Sequence, residues 1–322
     1  MVSPHPQAEP PRSNPRRWRL SVRWICAVAL LLVFGLACYA CASIRQLERE
    51  IVRTPRDPRT GVIRGAEAID LHPRGTENRP TTACLMLHGY MGCRKDFGDL
   101  GDRLAQEGLN VRMVRLPGHG TTPGLLAAQS ADILLRAAGE ELAALRAHHE
   151  AVYVVGFSMG GTLGTLLAAH EGVDRLVLAA PYYRVAHKWY YGLRPETWNR
   201  LLRLFVPFVA RSEHFVKVNR PAGRDQILAY DVMSTRAASW LMELGAEARR
   251  TGVPEAIRCP VLMIMSRGDE AACASAAQAV FRRLGSTDKR LHWLPARNNH
   301  HLFWDWDREE AKAQTVAFLT TD

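Results

Sequence analysis

Apolar residues along the chain fall into two kinds of stretch. The first is a single run, WICAVALLLVFGLACYACASI from Trp24 to Ile44, in which 21 residues pass without a charge. A helix of that length spans about 31 Å, close to the hydrocarbon thickness of a bilayer, and its apolarity on every side argues against a buried core helix. The second kind is short and recurs. Apolar runs at 83–87, 110–114, 152–155, 175–179, 261–265 and 290–294 predict strands. Longer stretches near 94–108, 127–148, 159–170, 271–284 and 307–319 have helical spacing, as in Phe97, Leu100 and Leu104 at i, i+3 and i+7. Asp307 and Glu310 stand at capping-box spacing where the last helix should open. Strands alternating with helices predict a mostly parallel central sheet flanked by helices.

Residues 181–250 break that alternation. The stretch YYRVAHKWYYGLRPETWNRLLRLFVPFVARSEHFVKV is aromatic and basic, and it reads as helices without strands inserted between the fourth and fifth predicted strands. The expected organisation is therefore a basic tail at 1–23, a transmembrane anchor at 24–44, a charged, proline-containing stalk at 45–60, and an α/β domain at 61–322 with a helical cap insertion at 181–250.

Charge sharpens the picture at both ends of this scheme. Five arginines against Glu9 give the tail +4, and twelve Lys and Arg against six Asp and Glu give the insertion +6, together the whole formal +10 of the 322 residues. Arginines ahead of the apolar run, with Trp18 and Trp24 at its entry, predict a cytoplasmic N-terminus and a catalytic domain on the outer or periplasmic side. The run exceeds the h-region of a cleaved signal, which favours an anchor over simple export. A lipid-anchored form would need a lipobox before Cys38, where FGLAC has Gly35 in place of leucine. Basic residues confined to a membrane-proximal tail and one insertion do not form a nucleic-acid footprint. Cys84, Cys93, Cys259 and Cys273 lack CxxC spacing, so no zinc or redox motif is predicted and any disulfide pairing is open.

Candidate chemistry begins at VVGFSMGGTLG. Ser158 lies at G-x-S-x-G spacing directly after an apolar strand and before an alanine- and leucine-rich helix, the context of a nucleophile elbow. Helix onset aims the Met159 N–H at a developing oxyanion. In LMLHGYMG, the loop after His88-Gly89 would bring the Tyr90 N–H beside it as a second donor, while His88 itself braces that loop. A base and an acid are then expected past later strands. SRGDE supplies Asp269, ahead of its neighbour Glu270, and NNHH supplies His300 and His301. Adjacent side chains on an extended loop point oppositely, so only one of the two histidines can face the serine, and residue physics leaves both open.

HGYMG, LPGHG, GFSMGG, SRGDE and a late histidine loop, in this order, resemble the α/β-hydrolase superfamily and most closely its carboxylesterase, monoacylglycerol lipase and lysophospholipase-like branch, the serine aminopeptidase S33 type. The likeness covers roughly residues 60–320. It implies a Ser158, Asp269 and His300 triad, with Tyr90 and Met159 as oxyanion donors and no cofactor or metal. His300 is favoured over His301 because the family's histidine follows a small polar pair and precedes an aspartate by five positions, here Asp305, although Asn299 stands where glycine is common. His119 falls in a structural loop at the site mouth.

The implied function is a membrane-anchored serine esterase acting on lipid-like acyl esters, its cap resting on anionic headgroups. Trp189, Tyr190, Tyr191, Trp198, Phe205 and Phe208, with Arg200, Arg203, Arg211, Lys217 and Arg220, suggest that contact. A peptidase or acyltransferase on the same fold, or a non-catalytic sensor, are the alternatives.

Overall fold

The computed structural model describes residues 15–73, 81–187, 192–211, 216–228 and 230–321, with side chains from Arg23 onward. Trp189, Tyr190 and Tyr191 of the expected cap surface lie outside them, as does Arg12 of the tail.

The first described element is α1 (Pro15–Arg53), one continuous helix of 39 residues. Its segment Arg23–Arg53 is long and apolar enough to cross a membrane, and Trp24, Leu30, Leu31 and Phe34 are each 69–71% exposed. The helix does not stop where the uncharged run stops. It continues through Arg45–Arg53, so the first half of the expected stalk is helical and packs on the cap.

Next comes a short strand that hydropathy did not predict, β1 (Ile69–Leu71). Three residues are too few to show a period of two. Then follow β2 (Thr82–Leu87), a 3-10 turn at Arg94–Phe97, α2 (Leu100–Gln106), β3 (Asn110–Met113), α3 (Pro123–Ala127), α4 (Ala131–Arg146), β4 (Ala151–Phe157), α5 (Met159–His170) and β5 (Arg175–Ala179). The insertion supplies α6 (Pro195–Leu202), β6 (Phe208–Ala210), α7 (Pro221–Arg224), β7 (Val232–Ser234) and α8 (Thr235–Ala248). After α9 (Val253–Ala256), the domain closes with β8 (Val261–Ser266), α10 (Ala274–Arg283), β9 (Lys289–Leu294) and α11 (Arg308–Thr320).

Seven strands form one sheet in the order β1-β3-β2-β4-β5-β8-β9. Every pairing is parallel except the antiparallel edge β1–β3. Both faces are buried, which is why the strands read as near-continuous apolar runs. Along β4, Val152 and Val154 enter the layer holding Leu163 and Leu166 of α5. Val155 and Phe157 enter the opposite layer with Leu100, Leu104 and Phe318. The two-residue period thus sorts side chains between two cores of one domain.

Several local expectations are corrected. The helix expected over 94–108 is divided at Gly98, whose φ of 60° suits a residue without Cβ. The one expected over 127–148 is divided at Ser130, where the hydroxyl accepts from Ile133 N and starts a new helix, as Thr122 does for Leu125 N. The capping box at Asp307 and Glu310 is not formed. The Asp307 carboxylate is taken by Arg297 and Asn298, and Glu310 pairs with His292 at 2.8 Å. The insertion is not strand-free either, since β6 and β7 make an antiparallel ribbon with Phe208 opposite Ser234 and Ala210 opposite Val232. Part of that ribbon's support comes from α1. Ala210 N donates to the Tyr39 hydroxyl at 3.1 Å, Gln46 Nε2 to Asp231 O at 3.3 Å, and Asp231 N to Glu50 Oε2 at 2.9 Å. No local sequence pattern announces a strand completed by a helix so far away.

Candidate active site

The site lies at the carboxyl edge of the sheet, beneath the cap. β4 ends in a turn tight enough to hold Ser158 at φ 53° and ψ −116°, a strained conformation for a residue with a Cβ. Two glycines permit it. A Cβ on Gly156 would overlap the Gly160 carbonyl, and one on Gly160 would overlap the Leu87 carbonyl. The turn feeds directly into α5, nearly all of which is buried, so the helix N-terminus points its free N–H groups toward the serine oxygen.

Three side chains from three loops meet here. His300 Nε2 lies 2.8 Å from Ser158 Oγ, and His300 Nδ1 lies 2.8 Å from Asp269 Oδ2. A carboxylate only accepts, so Nδ1 carries the proton in the neutral ring and Nε2 is left to accept from the serine hydroxyl. Asp269 is oriented by its other oxygen, which accepts from Ala271 N and Ala272 N, each at 2.8 Å. Ser158 and His300 are 7% and 6% exposed, and the Asp269 side chain is fully buried.

The neighbouring candidates are placed elsewhere. Glu270 turns outward to Lys217 at 3.0 Å. His301 packs its ring on Phe157 at 5.2 Å and donates its backbone N–H to Lys217 O. Burial, with His300 and Arg211 nearby, holds the His301 ring well below the usual histidine range. His88 has both nitrogens engaged: Leu116 N donates to Nε2 at 3.1 Å, and Nδ1 meets Gly89 O at 2.9 Å. Burial lowers its pKa to about 4, so it is a neutral brace between the HGYMG and LPGHG loops. His119, also neutral through burial, stacks edge-on against His88 and faces Trp240. The Tyr90 ring leans on Trp240 of α8 at 5.4 Å. Among the described residues, the Tyr90 backbone N–H has no protein acceptor; Met159 N, first in α5, has none within the helix.

Two residues that hydropathy and motif spacing passed over complete the arrangement. Asn299, in the place of the common glycine, accepts through Oδ1 from His300 N at 2.9 Å and from Glu270 N at 3.0 Å. Its amide therefore ties the loop carrying the acid to the loop carrying the base. Asp96 sits behind the HGYMG loop, accepting from Gly89 N at 2.9 Å, and a Cβ on Gly92 would overlap its carboxylate. The two glycines flanking Tyr90-Met91, seven and four residues ahead of an aspartate, were the available signal. The late loop is also tied to the cap. Buried Asp305 accepts from Asn299 N at 2.7 Å, and from Asn219 N and Arg220 N at 2.9 Å each.

A nucleophile elbow, a serine–imidazole–carboxylate relay and free N–H groups at a helix start define an acyl-transfer geometry. The family model for serine aminopeptidase, S33 (Hydrolase_4) matches residues 78–307. The chain belongs to that family. This Hydrolase_4 member is an α/β-hydrolase of the lipase and esterase branch, by class a carboxylic-ester hydrolase. It is 26% identical over 263 residues to a thermostable monoacylglycerol lipase of Bacillus sp. (strain H-257), covering 80% of this chain and 96% of that protein. Among solved structures, it shares a fold with the metagenome-derived lipolytic enzymes LipS and LipT (TM-score 0.68, 24% identity, 81% of this chain and 100% of that one). The monoacylglycerol lipase of Paleococcus ferrophilus gives a TM-score of 0.65 at 18% identity, over 79% and 98% of the two chains.

Proposed function

We propose that this chain is a membrane-anchored serine hydrolase that cleaves lipid-like acyl esters, such as monoacylglycerols or lysophospholipids, through an acyl-enzyme on Ser158. The observation that carries the reading is the continuous relay Ser158–His300–Asp269 at 2.8 Å per step. His300 Nε2 takes the serine proton as Oγ attacks the ester carbonyl, and Asp269 stabilises the imidazolium that forms. Tyr90 and Met159 N–H groups receive the oxyanion, each such donor contributing about 3 kcal/mol in comparable sites. Collapse expels the alcohol with the proton from His300. Water then repeats the sequence on the acyl-enzyme and releases the acid.

Anchoring is supported by the apolar α1 and its arginine-rich entry, which leave the N-terminus cytoplasmic and the hydrolase outside. The monoacylglycerol lipases and the carboxylesterase among the relatives support an acyl-ester substrate.

The test is labelling and turnover together. The folded chain is expected to react with a fluorophosphonate at Ser158 and to hydrolyse p-nitrophenyl acyl esters, and Ser158→Ala to do neither. Turnover that survives Ser158→Ala, or a folded chain that takes no label, sinks the proposal. Faster cleavage of an aminoacyl anilide than of any ester would move the activity to peptides.

A further inference from the structure

α6 presents its faces in the reverse of the usual order for a helix in water. Its inner side is polar, with Asn199 Nδ2 donating to Thr235 O at 3.1 Å and to Ser239 Oγ at 2.9 Å. Outward stand Trp198 and Leu201, followed by Leu204 and Phe205 in the next turn and preceded by Leu193, all 43–70% exposed. Trp198 and Leu201, at i and i+3, share one face of α6, and Leu204 and Phe205 extend the group into the turn that follows. Among the described residues outside α1, eight large apolar side chains are exposed; these five fall within thirteen residues, while Leu125, Ile133 and Trp306 are scattered. Isolated exposed apolar residues are ordinary, but a contiguous group marks a contact. Exposed Arg194, Arg200 and Arg203 alternate with the group.

The height of this patch is set by α1. α6 ends six residues before β6, and β6 is fastened at Ala210 to Tyr39. Tyr39 lies five residues inside the end of the uncharged run, about 7.5 Å along the helix from Ile44. Gln46 and Glu50 fasten the other strand's entry at Asp231. The ribbon is thus clamped where a bilayer's hydrocarbon gives way to headgroups, and the apolar face of α6 sits beside it.

We infer that the exposed face of α6 and the turn after it is a docking surface for the anionic bilayer that holds α1. Its apolar side chains enter the acyl–headgroup boundary, and Arg194, Arg200 and Arg203 lie among lipid phosphates. The anchor is then more than a tether, because it fixes the depth at which the cap meets lipid. The inference rests on α1 spanning the membrane.

The test uses the full chain with Cys26, Cys38, Cys41, Cys259 and Cys273 replaced by serine, since Cys84 and Cys93 are buried. Leu204→Cys carries an environment-sensitive fluorophore, and the protein is reconstituted into phosphatidylcholine–phosphatidylglycerol vesicles containing a headgroup-region doxyl lipid. The label is expected to lose at least about half its emission, while a label at exposed Asp288, before β9, is expected to lose none. An unquenched Leu204 label on protein that floats with the vesicles overturns the inference and leaves the anchor intact. Protein that does not float overturns both, and leaves soluble-ester turnover as a separate matter. Energy transfer between labelled chains without lipid quenching assigns the patch to a second copy and also overturns it. In addition, Leu201→Ser, Leu204→Ser and Phe205→Ser together are expected to lower the ratio of vesicle-borne to soluble ester turnover about tenfold; an unchanged ratio overturns the inference.

Discussion

At the carboxyl edge of the sheet, the reacting side chains are oriented directly by contacts that the α/β layer supplies itself, with the cap reaching the backbone of the late histidine loop. Asp269 is oriented by the two N–H groups just after it, His300 by Asn299 next door, and Ser158 by the strand and helix that flank it. In the cap, the β6–β7 ribbon is braced by residues of α1 lying 171 to 185 positions away. The two regions meet where the Tyr90 ring leans on Trp240 of α8. The difference teaches that the reacting groups are oriented within the layer that carries them, whereas the cap ribbon is braced by a helix outside the hydrolase domain. Variants at the sheet edge should therefore act on soluble and membrane-borne substrates alike, and variants in the cap should separate them.

The sharpest way to break the comparison is the histidine pair. His300→Ala is expected to cost about 10⁴ in kcat on a soluble ester, since the whole relay passes through it. His301→Gln keeps a ring-sized polar group against Phe157 and is expected to cost less than about tenfold. Equal losses would mean that the loop inverts in solution. The acid pair follows. Asp269→Asn leaves the imidazole in the wrong tautomer and is expected to cost about 10³ to 10⁴ in kcat. Glu270→Gln removes a partly exposed pair with Lys217, worth at most about 1 kcal/mol, and should leave kcat/KM within about twofold.

These pairs also mark how far the sequence could be read. Each of the six strands expected from apolar runs is present to within a residue or two, because burial on both faces writes a strand as a continuous signal. Ser158 was legible for a related reason: G-x-S-x-G after such a strand leaves little else for the turn to be. Asp269 and His300 were legible as loops, but residue physics could not choose within His300-His301, since the choice is made by Asn299, Lys217 and Phe157 through tertiary contacts. The ribbon and β1 were invisible, having three residues each and partners far along the chain. The capping box failed because Arg297 and Asn298 compete for Asp307, and no local pattern encodes that competition.

A smaller effect probes how tightly the two catalytic loops are joined. Asn299→Gly installs the residue common in the family and removes both hydrogen bonds of the Oδ1 atom. At about 1 kcal/mol each, the loss predicts a kcat lower by up to about thirtyfold, with KM on a soluble ester little changed. Restoration by Asn299→Asp, whose carboxylate can accept from both N–H groups, would tie the effect to acceptance. A KM-dominated loss would instead place Asn299 in substrate binding through its contact with Asn219.

The smallest effect concerns stability at the same edge. Asp96 is 1% exposed, and Oδ1 has no partner among the described residues. Burial raises its pKa from 3.8 to about 7. Below the lower value, folded and unfolded chains both hold the proton and the group is neutral in the balance. As pH rises, the unfolded chain releases its proton first, so the protonated group's contribution is lost progressively and levels off above the folded pKa. The full shift corresponds to about 4 kcal/mol as an upper bound. Asp96→Asn keeps an acceptor for Gly89 N and cannot ionise, so it is expected to be more stable than the parent by about 1–3 kcal/mol near pH 8, with the advantage shrinking toward pH 4. Urea denaturation across that range measures it. A pH-independent difference would mean that packing against Gly92, rather than the charge, governs the site. A gain confined to high pH would show that the HGYMG loop is held by a carboxylate that costs the fold stability, a second cost at this edge beside the strained backbone of Ser158.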